Sequence, residues 1–142
     1  MSQLLPLFHH TLNPTAVVND VPGLIRFMEG VFGAEVLDKI EGRGGVIVHA
    51  EIRVGDAVLY TGSAMGGDEH PALVSIYVDD VDDTFKRAVQ AGATGLQEPR
   101  DVFYGHRTAR VKGPTGNTWS ISTIREVLSS QEILARMANL SS

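Results

Sequence analysis

Residues 16–60 recur in outline as residues 76–120, an internal repeat at an offset of 60, the separation of Asp20 and Asp80. A repeat of that size means one supersecondary unit is built twice, and the functional site is expected between the copies. Val17, Val18, Asn19, Asp20 and Val21 are matched by Tyr77, Val78, Asp79, Asp80 and Val81. Apolar residues then follow at helical spacing: Val21, Leu24, Ile25 and Met28 in the first copy, Val81, Phe85, Ala88 and Val89 in the second. Asp20 and Asp80 stand where an N-cap belongs, and Pro22 fits the first turn. Each helix is expected to stop at a Gly-Ala pair, Gly33-Ala34 or Gly92-Ala93, where glycine can adopt the left-handed cap. A hairpin follows in both, turning at Gly55-Asp56 and at Pro114, Thr115 and Gly116.

The predicted architecture is therefore α+β. Two βαβββ repeats form a cupped, mostly antiparallel sheet with helices on its outer face, plus a short C-terminal helix. Repeat one is expected at about residues 8–62, a linker at 62–71, repeat two at about 72–124 and the C-terminal helix at about 129–140, within one domain spanning 1–142. A chain of this length can bury about two-thirds of its unfolded surface in one core. The linker holds three glycines and a proline with no apolar period, which predicts a mobile surface segment that could let two subunits exchange halves. Residues 41–45 read as a plain turn, because a strand rather than a helix follows and no helix dipole is available for a phosphate. Residues 97–106 are expected as a loop or short strand. Ser129 and Glu132 form a capping box, with Ile133, Met137 and Leu140 on one face of the last helix.

Seventeen acidic against twelve basic residues give a net charge of −5, with no basic stripe, which argues against nucleic-acid and anionic-membrane partners. Without cysteine there is no disulfide, thiolate site or cysteine nucleophile, which fits a reducing compartment. The opening residues lack a signal-peptide pattern and no apolar run is long enough for a membrane span, so a cytoplasmic location is expected.

Strand alternation sorts the candidate site residues. Across the tight turn, Val54 should pair with Ala57, Arg53 with Val58, Ile52 with Leu59 and Glu51 with Tyr60. Ala50, Ile52, Val54, Ala57 and Leu59 then face the helices, and His49, Glu51, Arg53 and Tyr60 face away. In the second hairpin Ala109, Val111, Trp119 and Ile121 go inward, leaving His106, Thr108, Arg110, Thr118 and Ser120 on the open face. Asn13, Thr15 and Val17, with Leu73, Ser75 and Tyr77, join that face. Its mixture of aromatic, imidazole, carboxylate and guanidinium groups suits a small-molecule pocket.

The paired unit, with Asp-Val before each helix, Gly-Ala after it and the turn Gly113-Pro114-Thr115-Gly116-Asn117, resembles the vicinal oxygen chelate superfamily over roughly residues 12–124. That superfamily includes glyoxalase I, extradiol dioxygenases, fosfomycin-resistance transferases and bleomycin-resistance proteins. Asp101, Phe103, Tyr104, Gly105, Arg107 and Trp119 look like its glyoxalase or bleomycin-resistance-like branch. The resemblance implies four metal-ligand positions, which fall on Asn13, Tyr60, Leu73 and Ser120. None is a histidine or carboxylate, so the familiar divalent site is not expected and no cofactor or metal is assigned.

His49 and Glu51 admit three readings: a hydrogen-bonded polar pair, with Glu51 reaching Tyr60 or Arg53; a relocated metal site with His106 or His70; or a general base oriented by its carboxylate, with Tyr60 or Arg110 stabilising an oxyanion. Phe103, Tyr104 and Tyr77 are stacking candidates, Trp119 a core residue, and Arg107 either a brace to Asp101 or a ligand contact. Asp68, Glu69 and His70 read as a solvated turn. The ligand-binding set is Asn13, Arg53, Leu73, Tyr77, Phe103, Tyr104, His106, Arg110 and Ser120, with His49, Glu51 and Tyr60 as catalytic candidates. Two functions follow: metal-free sequestration of an aromatic or amphipathic molecule, as in antibiotic resistance, or a lyase, isomerase or cyclase. Open sheet edges and the amphipathic last helix predict a homodimer.

Overall fold

The computed structural model describes residues 4–140. In chain order the elements are β1 (Thr15–Val18), α1 (Val21–Phe32), β2 (Glu35–Glu41), β3 (Ile47–Val54), β4 (Ala57–Ser63), β5 (Leu73–Tyr77), α2 (Val81–Gln90), β6 (Thr94–Asp101), β7 (His106–Lys112), β8 (Thr118–Ile124) and α3 (Ser130–Leu140). The expected pair of βαβββ units and the C-terminal helix are present, with the strands divided into two four-stranded sheets, ordered β1-β4-β3-β2 and β5-β8-β7-β6. Each sheet is mixed: β1 runs parallel to β4 and β5 to β8, and the remaining pairs are antiparallel.

The helices start and stop for the reasons their sequences give. Asp20 accepts from the Gly23 amide and Asp80 from the Asp83 amide. Gly33 ends α1 in the left-handed conformation at φ 66°. In α2 the helix ends one residue before Gly92, at Ala91. Val89 was expected on the buried face of α2 but is exposed, and Thr84 is buried instead, its hydroxyl donating to the Asp80 carbonyl.

The offset is uniform only in part. Val21 and Val81 start their helices 60 apart, yet the strand pairs Ile52 with Leu59 and Val111 with Trp119, which puts β7 at 59 and β8 at 60. One residue fewer separates helix start from Gly92 than from Gly33. The longer turn at Pro114–Gly116 restores the count. The hairpin registers are otherwise as alternation predicted.

Both sheets turn their apolar faces to one core. Leu24, Met28, Ile52 and Leu59 from the first half join Val81, Ala109, Val111, Trp119 and Ile121 from the second. Phe27 and Phe32 pack on Trp119 with ring centroids 6.2 and 4.9 Å away. The opposite face of each sheet therefore points away from the shared core.

The linker is not a free tether. His70 and Val17 exchange backbone hydrogen bonds of 2.8 and 3.0 Å along the β1 edge, and Glu69 accepts from the Asn19 amide at 2.7 Å. Glu69 and His70 thus fasten the linker, while residues 68–70 remain exposed as a solvated segment would be. At its far end the buried Asn117 accepts from the Ala72 amide at 2.7 Å, which sets where β5 begins.

Candidate functional site

The open face of the first sheet is not open. Residues 7–10, preceding the repeat, fold back across it. His9 Nδ1 donates to the Leu7 carbonyl at 2.9 Å and Nε2 lies 2.7 Å from Glu51 Oε1. Phe8 packs over the Arg53 guanidinium, 4.5 Å from ring centroid to Cζ, and His10 Nε2 donates to the Asp56 carbonyl at 2.8 Å. Val58, opposite Arg53 on this face, is 1% exposed. Phe8 has φ 68°, a left-handed conformation that costs an L-residue about 1–2 kcal/mol.

Glu51 is the centre of this cluster. Its other oxygen accepts from His49 Nε2 at 2.9 Å. The expected partners were Tyr60 or Arg53; instead both oxygens go to imidazoles, Tyr60 packs between His9 and His49 with ring centroids at 5.5 and 5.6 Å, and Arg53 pairs with Glu35 at 2.7 Å. Hydrogen bonds from His49 and then His9 hold the Glu51 carboxyl below the usual carboxylate range. The Leu7 carbonyl, followed by Glu51, raises the His9 imidazole above its ordinary value. Both His9 nitrogens face acceptors, which a ring with two N–H groups satisfies and a neutral ring with one does not. A low, doubly bonded carboxylate is a weak general base at neutral pH. A shallow recess of about 230 Å³ remains beside His49 and Tyr60.

His70 and His106 do not join His49. His70 lies on the β1 edge, and His106 packs against Tyr77 and Tyr104 on the second sheet, at 5.7 and 5.0 Å. The four positions implied for a divalent ion do not fit one either. Asn13 precedes β1, and its amide is taken up by the backbone of His10 on both oxygen and nitrogen. Leu73 offers no donor atom, Tyr60 is stacked as described, and Ser120 belongs to the other sheet. Among the described residues no group of three or more histidines and carboxylates has a geometry that could hold a metal ion.

The second sheet carries the larger cavity, about 530 Å³, lined by Phe103, Tyr104 and Leu140 together with Gln97, Arg100, Arg110 and Ser120. Phe103 and Tyr104 meet edge to face at 5.2 Å on the tip between β6 and β7. This tip turns at Gly105, φ 87°, whose carbonyl accepts from Arg125 and Glu126. The last helix lies beside it. Arg136 donates to the Phe103 carbonyl at 3.2 Å and pairs with Glu126 at 2.7 Å. The Ser129 and Glu132 capping box forms as expected. A second, largely apolar hollow of about 410 Å³ runs between the tip, His106, Ile133 and Met137.

Of the sequence-selected residues, Tyr104, Phe103, Arg110 and Ser120 share the larger cavity, with His106 and Tyr77 at its side. His49, Glu51, Tyr60 and Arg53 form a separate cluster on the first sheet, and Leu73 is 67% exposed on the β5 edge. Arg107 is a brace, with a bidentate pair to Asp82 at 2.8 and 2.9 Å and a longer contact to Asp101 at 3.3 Å. His9, Arg100 and Gln97 were not foreseen. The signal for Gln97 and Arg100 was an Arg three residues after a Gln around Pro99, where a bulge breaks the alternation.

Comparison with known proteins matches residues 7–121 to the family model described as the Glyoxalase/Bleomycin resistance protein/Dioxygenase superfamily. An uncharacterized protein of Mycobacterium bovis is 33% identical over 143 residues, covering 90% of this chain and 92% of its own, and one of Mycobacterium tuberculosis is 33% identical over 82% of its length. Among solved structures, TioX from Micromonospora sp. ML1 shares the fold with a TM-score of 0.65 at 23% identity, over 80% of this chain and 98% of that one. A glyoxalase/bleomycin resistance protein/dioxygenase family enzyme from Burkholderia phytofirmans aligns with a TM-score of 0.64 at 17% identity, over 84% and 99%.

Proposed function

The chain belongs to the glyoxalase, bleomycin resistance protein and dioxygenase superfamily, and from that premise we propose that it is a metal-independent small-molecule-binding protein that takes up an aromatic or amphipathic ligand on its second sheet. The observation that carries this reading is the 530 Å³ cavity, of a size suited to a small molecule and lined by aromatic and polar side chains together. The residues at the superfamily's four ligand positions, Asn13, Tyr60, Leu73 and Ser120, include no histidine or carboxylate and are unsuited to a divalent ion. Sequestration, as in antibiotic resistance, needs affinity alone.

A second reading has one observation in its favour. His49 donates to Glu51 beside the recess at Tyr60, the arrangement of an oriented imidazole in a metal-free lyase, isomerase or cyclase. Against it stand residues 7–10, which lie across Glu51 and take up its other oxygen through His9.

We also propose a homodimer. The outer edge of β5 has no strand partner among the described residues, and Leu73 and Tyr77 are exposed beside it.

A thermal-shift screen of small aromatic molecules, with mass spectrometry of the recovered ligand, tests the main reading. Stabilising ligands recovered unchanged, from wild type and from His49→Ala alike, are the expected result. Conversion of the ligand over time, lost in His49→Ala, would establish the enzymatic reading instead.

A further inference from the structure

Within the binding reading above, on which this inference rests, we propose that the second-sheet cavity is built for a ligand that joins an aromatic body to an oxyanion, with Arg100 and Arg110 as the anion-binding groups. The strand register brings them together. Gln97, Arg110 and Ser120 lie in one row across β6, β7 and β8, and Arg100, Thr108 and Ser122 in the next. Strict alternation would send Gln97 and Arg100 to opposite faces; the irregularity between them in β6 puts both on the same one.

The two guanidinium groups differ in how they are held. With its amide oriented so that oxygen faces the guanidinium, Gln97 accepts from Arg100 Nε at 2.6 Å and from Nη2 at 3.2 Å. A neutral amide orients this side chain without cancelling its charge. Arg110 makes no ion pair with a carboxylate among the described residues. The single carboxylate in the lining, Asp101, pairs with Arg107 instead. Every other arginine drawn into an ion pair, Arg53, Arg87, Arg107 and Arg136, meets a carboxylate on its own surface. In a chain of net charge −5, two unneutralised guanidiniums beside the Ser120 hydroxyl and an aromatic wall form a local positive field with hydrogen-bond donors aimed at a planar or tetrahedral oxyanion. Phe103 and Tyr104, on the turn between β6 and β7, supply the surface for a ring.

The test compares two probes with the same ring system, the anion 8-anilinonaphthalene-1-sulfonate and the neutral N-phenyl-1-naphthylamine, by fluorescence titration against the full chain. The anion is expected to bind with one site per chain, at least about tenfold tighter than the neutral probe, and to weaken as sodium chloride is raised. Arg100→Met and Arg110→Met should each weaken the anion by about tenfold and leave the neutral probe unchanged, Arg110→Lys should recover part of the loss, and the exposed Arg26→Met should change neither. Equal affinities for the two probes, both reduced by Phe103→Ala, would overturn the oxyanion inference and leave the binding reading intact. If neither probe binds at a site sensitive to Phe103→Ala or Tyr104→Ala, both fall. Because each variant is titrated with both probes, unfolding shows as loss of both and is separated from loss of the anion site, which the salt dependence of the wild type tests independently.

Discussion

His9 Nε2 lies 2.7 Å from Glu51 Oε1, a contact between the segment preceding the repeat and the centre of β3. It gives the covering of the first sheet a dependence on pH whose sign is fixed. The raised His9 imidazole contributes stability that is fully present below its unfolded value of about 6.5 and is lost as pH rises through the folded value. The lowered Glu51 carboxyl contributes above its unfolded value of about 4.5 and is lost as pH falls through its folded value. Imidazole NMR is expected to give His9 a midpoint above 6.5 that drops back in Glu51→Gln. A midpoint at or below 6.5 in the wild type would contradict the ion pair.

Proteolysis offers a second view of the same contact. Cleavage within residues 7–10 should accelerate as pH is raised beyond the His9 midpoint, and should be fast at every pH in His9→Ala. Insensitivity to pH would mean that the Phe8 and Arg53 contact alone holds the segment.

Two glycines should respond in opposite directions to the same change. At Gly105 a Cβ would come 2.6 Å from the Glu126 carbonyl, at a φ of 87°, so Gly105→Ala should destabilise by about 1–3 kcal/mol. Gly30 in α1 has nothing within 4 Å of that position, and Gly30→Ala should stabilise by about 0.5–1 kcal/mol. Urea unfolding measures both.

Trp119 is 1% exposed and its Nε1 has no hydrogen-bond partner. Trp119→Phe therefore loses packing but no hydrogen bond and should cost about 1–2 kcal/mol, against about 3–5 kcal/mol for Trp119→Ala. A Phe variant as damaged as the Ala variant would reveal a partner for the indole.

Light scattering after size exclusion is expected to give a dimer at micromolar concentration, and Leu73→Lys, which puts charge on the exposed β5 edge, should shift it to monomer without lowering the urea midpoint. A wild-type monomer at that concentration would remove the dimer reading.

The scaffold was legible in the chain because it is written in local patterns. N-caps at Asp20 and Asp80, the left-handed Gly33 and the two-residue turn at Gly55 each act over a few residues, and period two then assigned His49, Glu51, Arg110 and Ser120 to their faces. What escaped was non-local or aperiodic. No pattern in residues 7–10 announces a partner 42 positions away, so the Glu51 pairing was assigned to its strand neighbours instead. Arg100 was missed for the opposite reason: residues 97–106 read as a loop or short strand with no face assigned, and Pro99 there accompanies an irregular ladder. The fastening of the linker was missed likewise, since glycine content says nothing of the His70 bridge to Val17.

The irregularity in β6 separates two properties that most strands bind together. Pairing with β7 is kept at both ends of the strand, at Thr94 with Lys112 and at Asp101 with Arg107, while the register shifts twice between them, after Gly95 and after Gln97, so the sheet does not depend on which residues between them are the extra ones. Moving the extra residue between Gln97 and Arg100 by a single position would replace a guanidinium in the cavity with a neighbour while the strand stayed in place. For a duplicated scaffold that must acquire new ligands, this is a route of variation in which what is bound can change faster than what is folded.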